Sequence, residues 1–268
     1  MVNQYERAYR AWQVLTEAAA GHKPVTYGQL ARTLSMHHRP LRYVLSLIQD
    51  HCLDEKLPPL TILVVNQSTK RPGEGFIAWD ANDVEEGQRK VFNCPWHLMH
   101  NPFEFASDGQ SFDDLVTTLT LSPEKSTDVY TKVRVRGVAQ KLFRDALLLT
   151  YNYECAFTSF SFQDCLDAAH IVSWADSTPA QRMDVRNGIL LSAIHHRLFD
   201  QGRITIDEDY RIRFYDPKMQ DAPPYSECDR LLTASLNGKA MRLPASRERW
   251  PKLEWVQQRN AGLEWEFS

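Results

Sequence analysis

Three short stretches hold side chains whose types and spacing could do chemistry: LDAAHIVSW at 166–174, RNG at 186–188 and IHHRLFDQG at 194–202. Hydrolysing a phosphodiester needs a base to activate water and a cation to neutralise the phosphate and the departing 3′ oxygen. A neutral histidine suits the first task because its pKa lies near working pH. A His and an Asp four residues apart on a helix converge on one point, which suits the second, and His196 and Asp200 have that spacing. His195 would point about 100° around the same helix, toward solvent or substrate.

In this order and spacing the three stretches resemble the HNH (ββα-metal) nuclease superfamily, and more closely its branch of restriction endonucleases with an AAHI motif, then NG, then an HRLFD helix. The likeness covers about residues 132 to 215. It implies that His170, ending the first β-strand, is the general base and that Asn187 braces the loop between hairpin and helix. It also implies that His196 and Asp200 are metal ligands, with Asp in place of the commoner second His. Many members carry a further ligand just before the base, where this chain has Ala169. Asp167 shares a strand face with Ala169 and is the candidate replacement, with water as the alternative. With His and carboxylate donors and no thiolate, Mg²⁺ or Mn²⁺ is favoured, and Zn²⁺ or Ni²⁺ stays open. Cys155 and Cys165 lie where some members bind zinc, but Thr158 and Ser159 stand at the partner positions, so buried free thiols are expected. Asn187-Gly188 also reads as a turn favouring positive φ.

The elements that must position these residues span 268 residues with 43% hydrophobic and 24% charged content, which predicts a soluble globular protein of two domains. A net charge of −3 does not advertise a nucleic-acid binder, so local basic clusters must carry that case. Five scattered cysteines without a CxxC pair argue against a disulfide framework or zinc ribbon and fit a reducing cytoplasm. The MVNQYERAYRAWQ start lacks an apolar signal core, and no run of about 18 apolar residues occurs, so neither export nor a membrane partner is expected.

The expected fold is α+β: an N-terminal winged helix-turn-helix domain (1–100), a linker (101–131) and a C-terminal ββα-metal nuclease domain (132–268) with a hairpin and tail. Tyr5, Ala8, Tyr9, Trp12 and Leu15 form a helical stripe, followed by a short helix through Thr33 and a second from about Arg39 to Gln49. A β-rich run at Leu60–Val65, a turn holding Gly73 and Gly75, and a return strand at Phe76–Trp79 would complete the wing. VTYGQLARTL with PPL and VV is similar to the winged helix of alkylguanine-DNA alkyltransferases and alkyltransferase-like proteins. ILVVN stands where the enzyme has its thiol motif, so alkyl transfer is excluded and a binding module remains. Arg39, Arg42 and Tyr43 could approach a groove, or the module could serve protein contacts.

Further on, Val138, Leu142, Ala146 and Leu149 predict a helix ending near Asn152, Cys155–Ile171 a hairpin-like β segment, and Ser192–Phe199 a helix ending at Gly202. A terminal hairpin joins Ile204–Ile206 to Ile212–Tyr215, and the tail holds two weak helical stretches. Lys132, Arg134 and Arg136 alternate on an extended segment, with Lys141 and Arg144 on the next helix, as a phosphate-gripping ridge. Arg186 could touch phosphate or shape its loop with Asp184. The reading is a metal-dependent endonuclease on double-stranded DNA, acting as a homodimer in restriction or antiphage defence. The alternatives are a DNA-binding regulator on a degenerate HNH fold and an RNA-cutting nuclease.

Overall fold

The computed structural model describes residues 3–73, 76–80, 83–133, 135–217 and 225–265. It is an α+β chain in which, among the described residues, three two-stranded sheets sit among helices. Two compact units emerge: Met1–Asp114 with Lys132–Ala139, and Leu115–Thr131 with Gln140–Ser268. No helix among the described residues is long and apolar enough to cross a membrane.

In the first unit, α1 (Gln4–Ala20) starts at Asn3, whose side-chain oxygen accepts from the Tyr5 and Glu6 amides and so satisfies two orphan helix donors. Its buried stripe of Ala8, Ala11, Trp12, Leu15 and Ala19 packs on α3. The short strand β1 (Val25–Thr26) leads into α2 (Tyr27–Thr33), which Thr26 and Gln29 close with a capping box. Helix α3 (Leu41–Asp54) buries Leu41, Val44, Ile48 and Cys52. Leu60–Leu63 wind as a fully buried 3-10 turn, and β2 (Val64–Val65) pairs parallel with β1. The expected wing is therefore not what these residues form: β2 does not pair with 76–79, which lie in no strand, and Gly75 falls outside the described residues. A short buried run such as Leu-Thr-Ile-Leu reads the same as strand or helical turn, and Pro58-Pro59 favours a helical start. Helix α4 (Val84–Phe92) completes the unit beside Trp96, whose ring meets Trp12 edge-on at 5.6 Å.

The segment expected to be a linker is helical instead. It contains α5 (Phe112–Leu121) and α6 (Ser126–Lys132), with Phe103, Phe105, Leu115, Leu119 and Val129 buried. Helix α7 (Arg136–Thr150) follows. Lys132 thus closes one helix and Arg136 opens another, so neither lies on the extended segment expected, and Arg134 lies outside the described residues.

The second unit carries the chemistry-bearing stretches. Strand β3 (Leu166–His170) is joined through α8 (Pro179–Met183) to β4 (Gly188–Ser192), and the two strands pair antiparallel from Leu166↔Ser192 to His170↔Gly188. The partner of β3 is thus β4, and no hairpin forms within 155–171. Helix α9 (Ala193–Asp200) follows β4 directly, capped by Ser192, and packs on both strands. Strands β5 (Ile204–Ile206) and β6 (Ile212–Phe214) form the terminal hairpin, followed by α10 (Glu227–Leu232) and α11 (Leu253–Asn260). Gly188 is extended (φ −138°), not the positive-φ turn its dipeptide advertises. Glycine is needed there because a Cβ would come within 2.6 Å of both Phe143 and Leu147 on α7.

Candidate active site

Three candidate residues meet between β3 and α9. His196 Nδ1 lies 3.3 Å from Asp167 Oδ2, and its Nε2 lies 3.4 Å from Asp200 Oδ2. The pairing follows from local geometry: α9 places residues i and i+4 on one side, and the β3 alternation turns Asp167 away from the face of His170. The two carboxylates flank opposite edges of one ring, so they form a carboxylate–imidazole–carboxylate chain. Among the described residues, no three His, Cys, Asp or Glu side chains are grouped to enclose an ion. By chemistry the donor set would suit a hard or borderline cation: one ring nitrogen with one carboxylate would hold it, and the second carboxylate would fix ring and tautomer from the other nitrogen. Ala169 is fully buried and offers no donor.

His170 is held by different neighbours. Its ring stacks on Phe143 at 4.1 Å and 17° and meets Trp174 edge-on. Its Nε2 lies 3.0 Å from the Arg182 carbonyl oxygen, which can only accept. Nε2 therefore carries the proton in the neutral ring, and the basic lone pair belongs to Nδ1.

Asn187 is fully buried. Its side-chain oxygen accepts from the Val172 amide at 2.8 Å, and its NH₂ donates to Val172 O, Ser177 Oγ and Gln181 O at 3.1–3.2 Å. One side chain thus ties the start, middle and end of the β3–β4 connection.

His195 departs from expectation: it is buried rather than facing solvent. Its Nε2 donates to Leu232 O at 3.0 Å, and its Nδ1 lies 2.8 Å from Ser192 Oγ. Cys155 lies beside it at 3.8 Å. Burial pushes this thiol up, but hydrogen bonds from His195, Thr158 and the backbone outweigh burial and bring it down to about 7. Cys165 is exposed, so only one of that cysteine pair is the buried thiol expected.

The candidate DNA contacts are dispersed. Arg186 grips Asp184 in a two-pronged ion pair with contacts from 2.6 to 3.2 Å, which raises the guanidinium pKa. Arg144 donates to Leu166 O and Gln163 O, tethering α7 to the start of β3. Lys132 Nζ reaches Gln110 Oε1 at 2.8 Å, while Arg136 and Lys141 are exposed on α7. In the first unit, Arg39 and Arg42 line a cavity of about 380 Å³ with Tyr27, His38 and Gln49. Arg42 also donates to the Tyr43 hydroxyl at 2.6 Å. The Thr61 hydroxyl in the cavity wall is buried without a hydrogen-bond partner among the described residues.

One residue near the site escaped sequence reading. Arg259, on α11, reaches the backbone of both Ile171 and Phe199. Burial lowers its pKa to about 10, with Asp200 acting in the opposite sense. A lone arginine in a polar tail gave no signal.

With the geometry in place, the family comparison is informative. A family model for HNH endonucleases matches residues 155–207, a span that takes in His170, Asn187, His196 and Asp200. The match supports placing this segment in the HNH superfamily, as a nuclease-type domain. The chain is also 33% identical over 79 residues to ADAMTS-like protein 1 of Homo sapiens and 32% identical over 79 residues to its Mus musculus counterpart. Those stretches cover 28% of this chain and 4% of either relative, so the chain spans a small fraction of the curated proteins it matches.

Proposed function

We propose that this chain is a metal-dependent DNA endonuclease whose reaction centre is built by β3, β4 and α9. The observation that carries the reading is His196 set between Asp167 and Asp200, with His170 ending the same strand as Asp167 in the tautomer that leaves Nδ1 as the basic atom.

His170 Nδ1 takes a proton from the attacking water, and the Arg182 carbonyl bound to Nε2 stabilises the imidazolium that results. Phe143 and Trp174 hold the ring in place. His196 Nε2 and Asp200 would hold the cation, while Asp167 on Nδ1 orients the ring. A divalent ion, Mg²⁺ or Mn²⁺ by the hard donor set, supplies positive charge to the scissile phosphate and the departing 3′ oxygen. The products are 5′-phosphate and 3′-hydroxyl ends. Asn187 keeps the connecting loop, and with it Arg182 O, in register.

The first unit is read as the DNA-selecting module, with Arg39 and Arg42 at the cavity rim as its cationic contacts. Lys132, Arg134, Arg136, Lys141, Arg144 and Arg186 form the remaining candidate set. Of these, Arg144 and Arg186 also make the structural bonds given above. One such centre cuts one strand, so double-strand cleavage calls for a homodimer or two nicks. Restriction or antiphage defence in the cytoplasm is the role that suits a reader fused to a cutter.

A second reading, a DNA-binding regulator on a degenerate HNH fold, draws on the missing donor at Ala169. Supercoiled plasmid with Mg²⁺, Mn²⁺ or Ni²⁺, against an EDTA control, separates the two. Nicking that EDTA stops and His170→Ala abolishes supports the nuclease, and intact plasmid with retained DNA binding supports the regulator. A parallel RNA digest decides the substrate.

A further inference from the structure

The nuclease reading needs His170 and the His196–Asp200 pair at a fixed separation, yet they sit on different elements.

Arg259 spans this gap from the far end of the chain. One terminal guanidinium nitrogen donates to Phe199 O, and the other lies 3.5 Å from Ile171 O. Phe199 immediately precedes Asp200, and Ile171 immediately follows His170. The guanidinium carbon also sits 3.5 Å from the centre of the Phe199 ring, which fixes the plane of the fork. Its own helix is anchored: Asn260 accepts from Thr205 Oγ1 at 2.7 Å and donates to Ile206 O at 2.9 Å, fastening α11 to β5. The Nε–H is buried without a partner among the described residues. A helix cap alone needs a single donor and is favoured with its remaining donors in water. This cation instead gives up solvation to hold two backbone points, one beside each half of the site.

We propose that Arg259 is a positioning residue that locks the spacing between the proton-accepting His170 and the His196–Asp200 cation site. The proposal rests on the nuclease reading. It predicts that changing the fork lowers turnover and cation affinity while leaving the affinity for DNA alone.

The test compares the full-length wild type with Arg259→Met, which keeps the stem over Phe199, and Arg259→Lys, which keeps the charge but not the fork. Thermal midpoint, Mn²⁺ affinity by electron paramagnetic resonance without DNA, and kcat and KM for plasmid nicking are read on each. Folded Arg259→Met should lose about 10- to 100-fold in Mn²⁺ affinity and about 100-fold in kcat, with KM for DNA nearly unchanged. Arg259→Lys should fall between it and wild type. A rise in KM alone would make Arg259 a DNA contact and overturn the proposal. So would wild-type kcat and Mn²⁺ binding in Arg259→Met, which would reduce the arginine to a helix cap. Should Arg259→Met not fold, a folded Arg259→Lys with wild-type kcat overturns it equally. A wild type that neither binds Mn²⁺ nor nicks removes the nuclease reading and this proposal with it, and that outcome is visible before any variant is compared.

Discussion

Replacing Asn187 with Ala tests the loop brace directly. The Val172 N–H loses its acceptor at 2.8 Å in a fully buried setting, while Gln181 O and Ser177 Oγ lose a donor at 3.1 and 3.2 Å. Val172 O keeps a bond from Ser177 Oγ, so it is not stranded. An orphaned buried donor costs about 1–3 kcal/mol, and each further lost bond about 0.5–1.5 kcal/mol. The total comes to about 2–6 kcal/mol, a large share of the ~5–15 kcal/mol stability of an ordinary domain. Asn187→Asp discriminates further. It sets a carboxyl oxygen against acceptors that the NH₂ now satisfies, so the folded state disfavours its charged form and raises its pKa above the unfolded value of about 3.9. A group with a raised folded pKa holds its proton longer in the folded chain, so the variant loses stability as pH rises from about 4 toward that folded value. Urea unfolding followed by tryptophan fluorescence at pH 5 and pH 8, each relative to wild type, reads both effects. A loss below about 1 kcal/mol for Asn187→Ala would refute the brace, as would an Asn187→Asp variant more stable at pH 8 than at pH 5.

Further outcomes follow from other contacts. Gly188→Ala should cost about 1–3 kcal/mol in thermal or urea unfolding, because its Cβ meets Phe143 and Leu147 at 2.6 Å, and Leu147→Ala in the same chain should recover part of it. Cys155, brought down to about 7 by hydrogen bonds that outweigh burial, contributes stability that is present above the unfolded thiol value and lost as pH falls through about 7. Wild type should therefore exceed Cys155→Ala in stability by more at pH 9 than at pH 6. Asp200→Ala should abolish Mn²⁺ binding measured by isothermal titration, whereas Asp167→Ala, acting through the far ring nitrogen, should weaken it by about 10- to 100-fold. Arg42→Ala should weaken DNA binding across sequences and reduce the salt dependence of that binding by about one unit of slope.

Elements with a clean periodic face were legible in the sequence. The stripe from Tyr5 to Leu15 became α1, and the hydrophobic positions from Val138 to Leu149 became α7. Segments buried on every side were not. Leu60–Leu63 and Gly188–Ser192 are both buried throughout, yet one is a 3-10 turn and the other a strand, because burial without alternation carries no period to read. The polar stretch before α5 misled for the opposite reason. Its few aromatic residues do the packing, with the Phe105 ring 5.6 Å from that of Tyr5, and a sparse set of anchors in a background of Pro, Ser, Asp and Gly looks like linker.

The same distinction separates what could be read of the site from what could not. The i, i+4 spacing of His196 and Asp200 becomes geometry as soon as α9 forms, and strand alternation does the same for Asp167. Contacts to backbone atoms have no such signature. The tautomer of His170 is set by a carbonyl twelve residues downstream, and Arg259 spends its charge on two carbonyls rather than on a carboxylate that a charge pattern would reveal. Any side-chain identity can present a carbonyl, so the residues that fix proton position and spacing leave no trace in the types of their partners. Arg259 and Asn187, whose side chains hold backbone atoms, should accordingly be among the positions least tolerant of substitution.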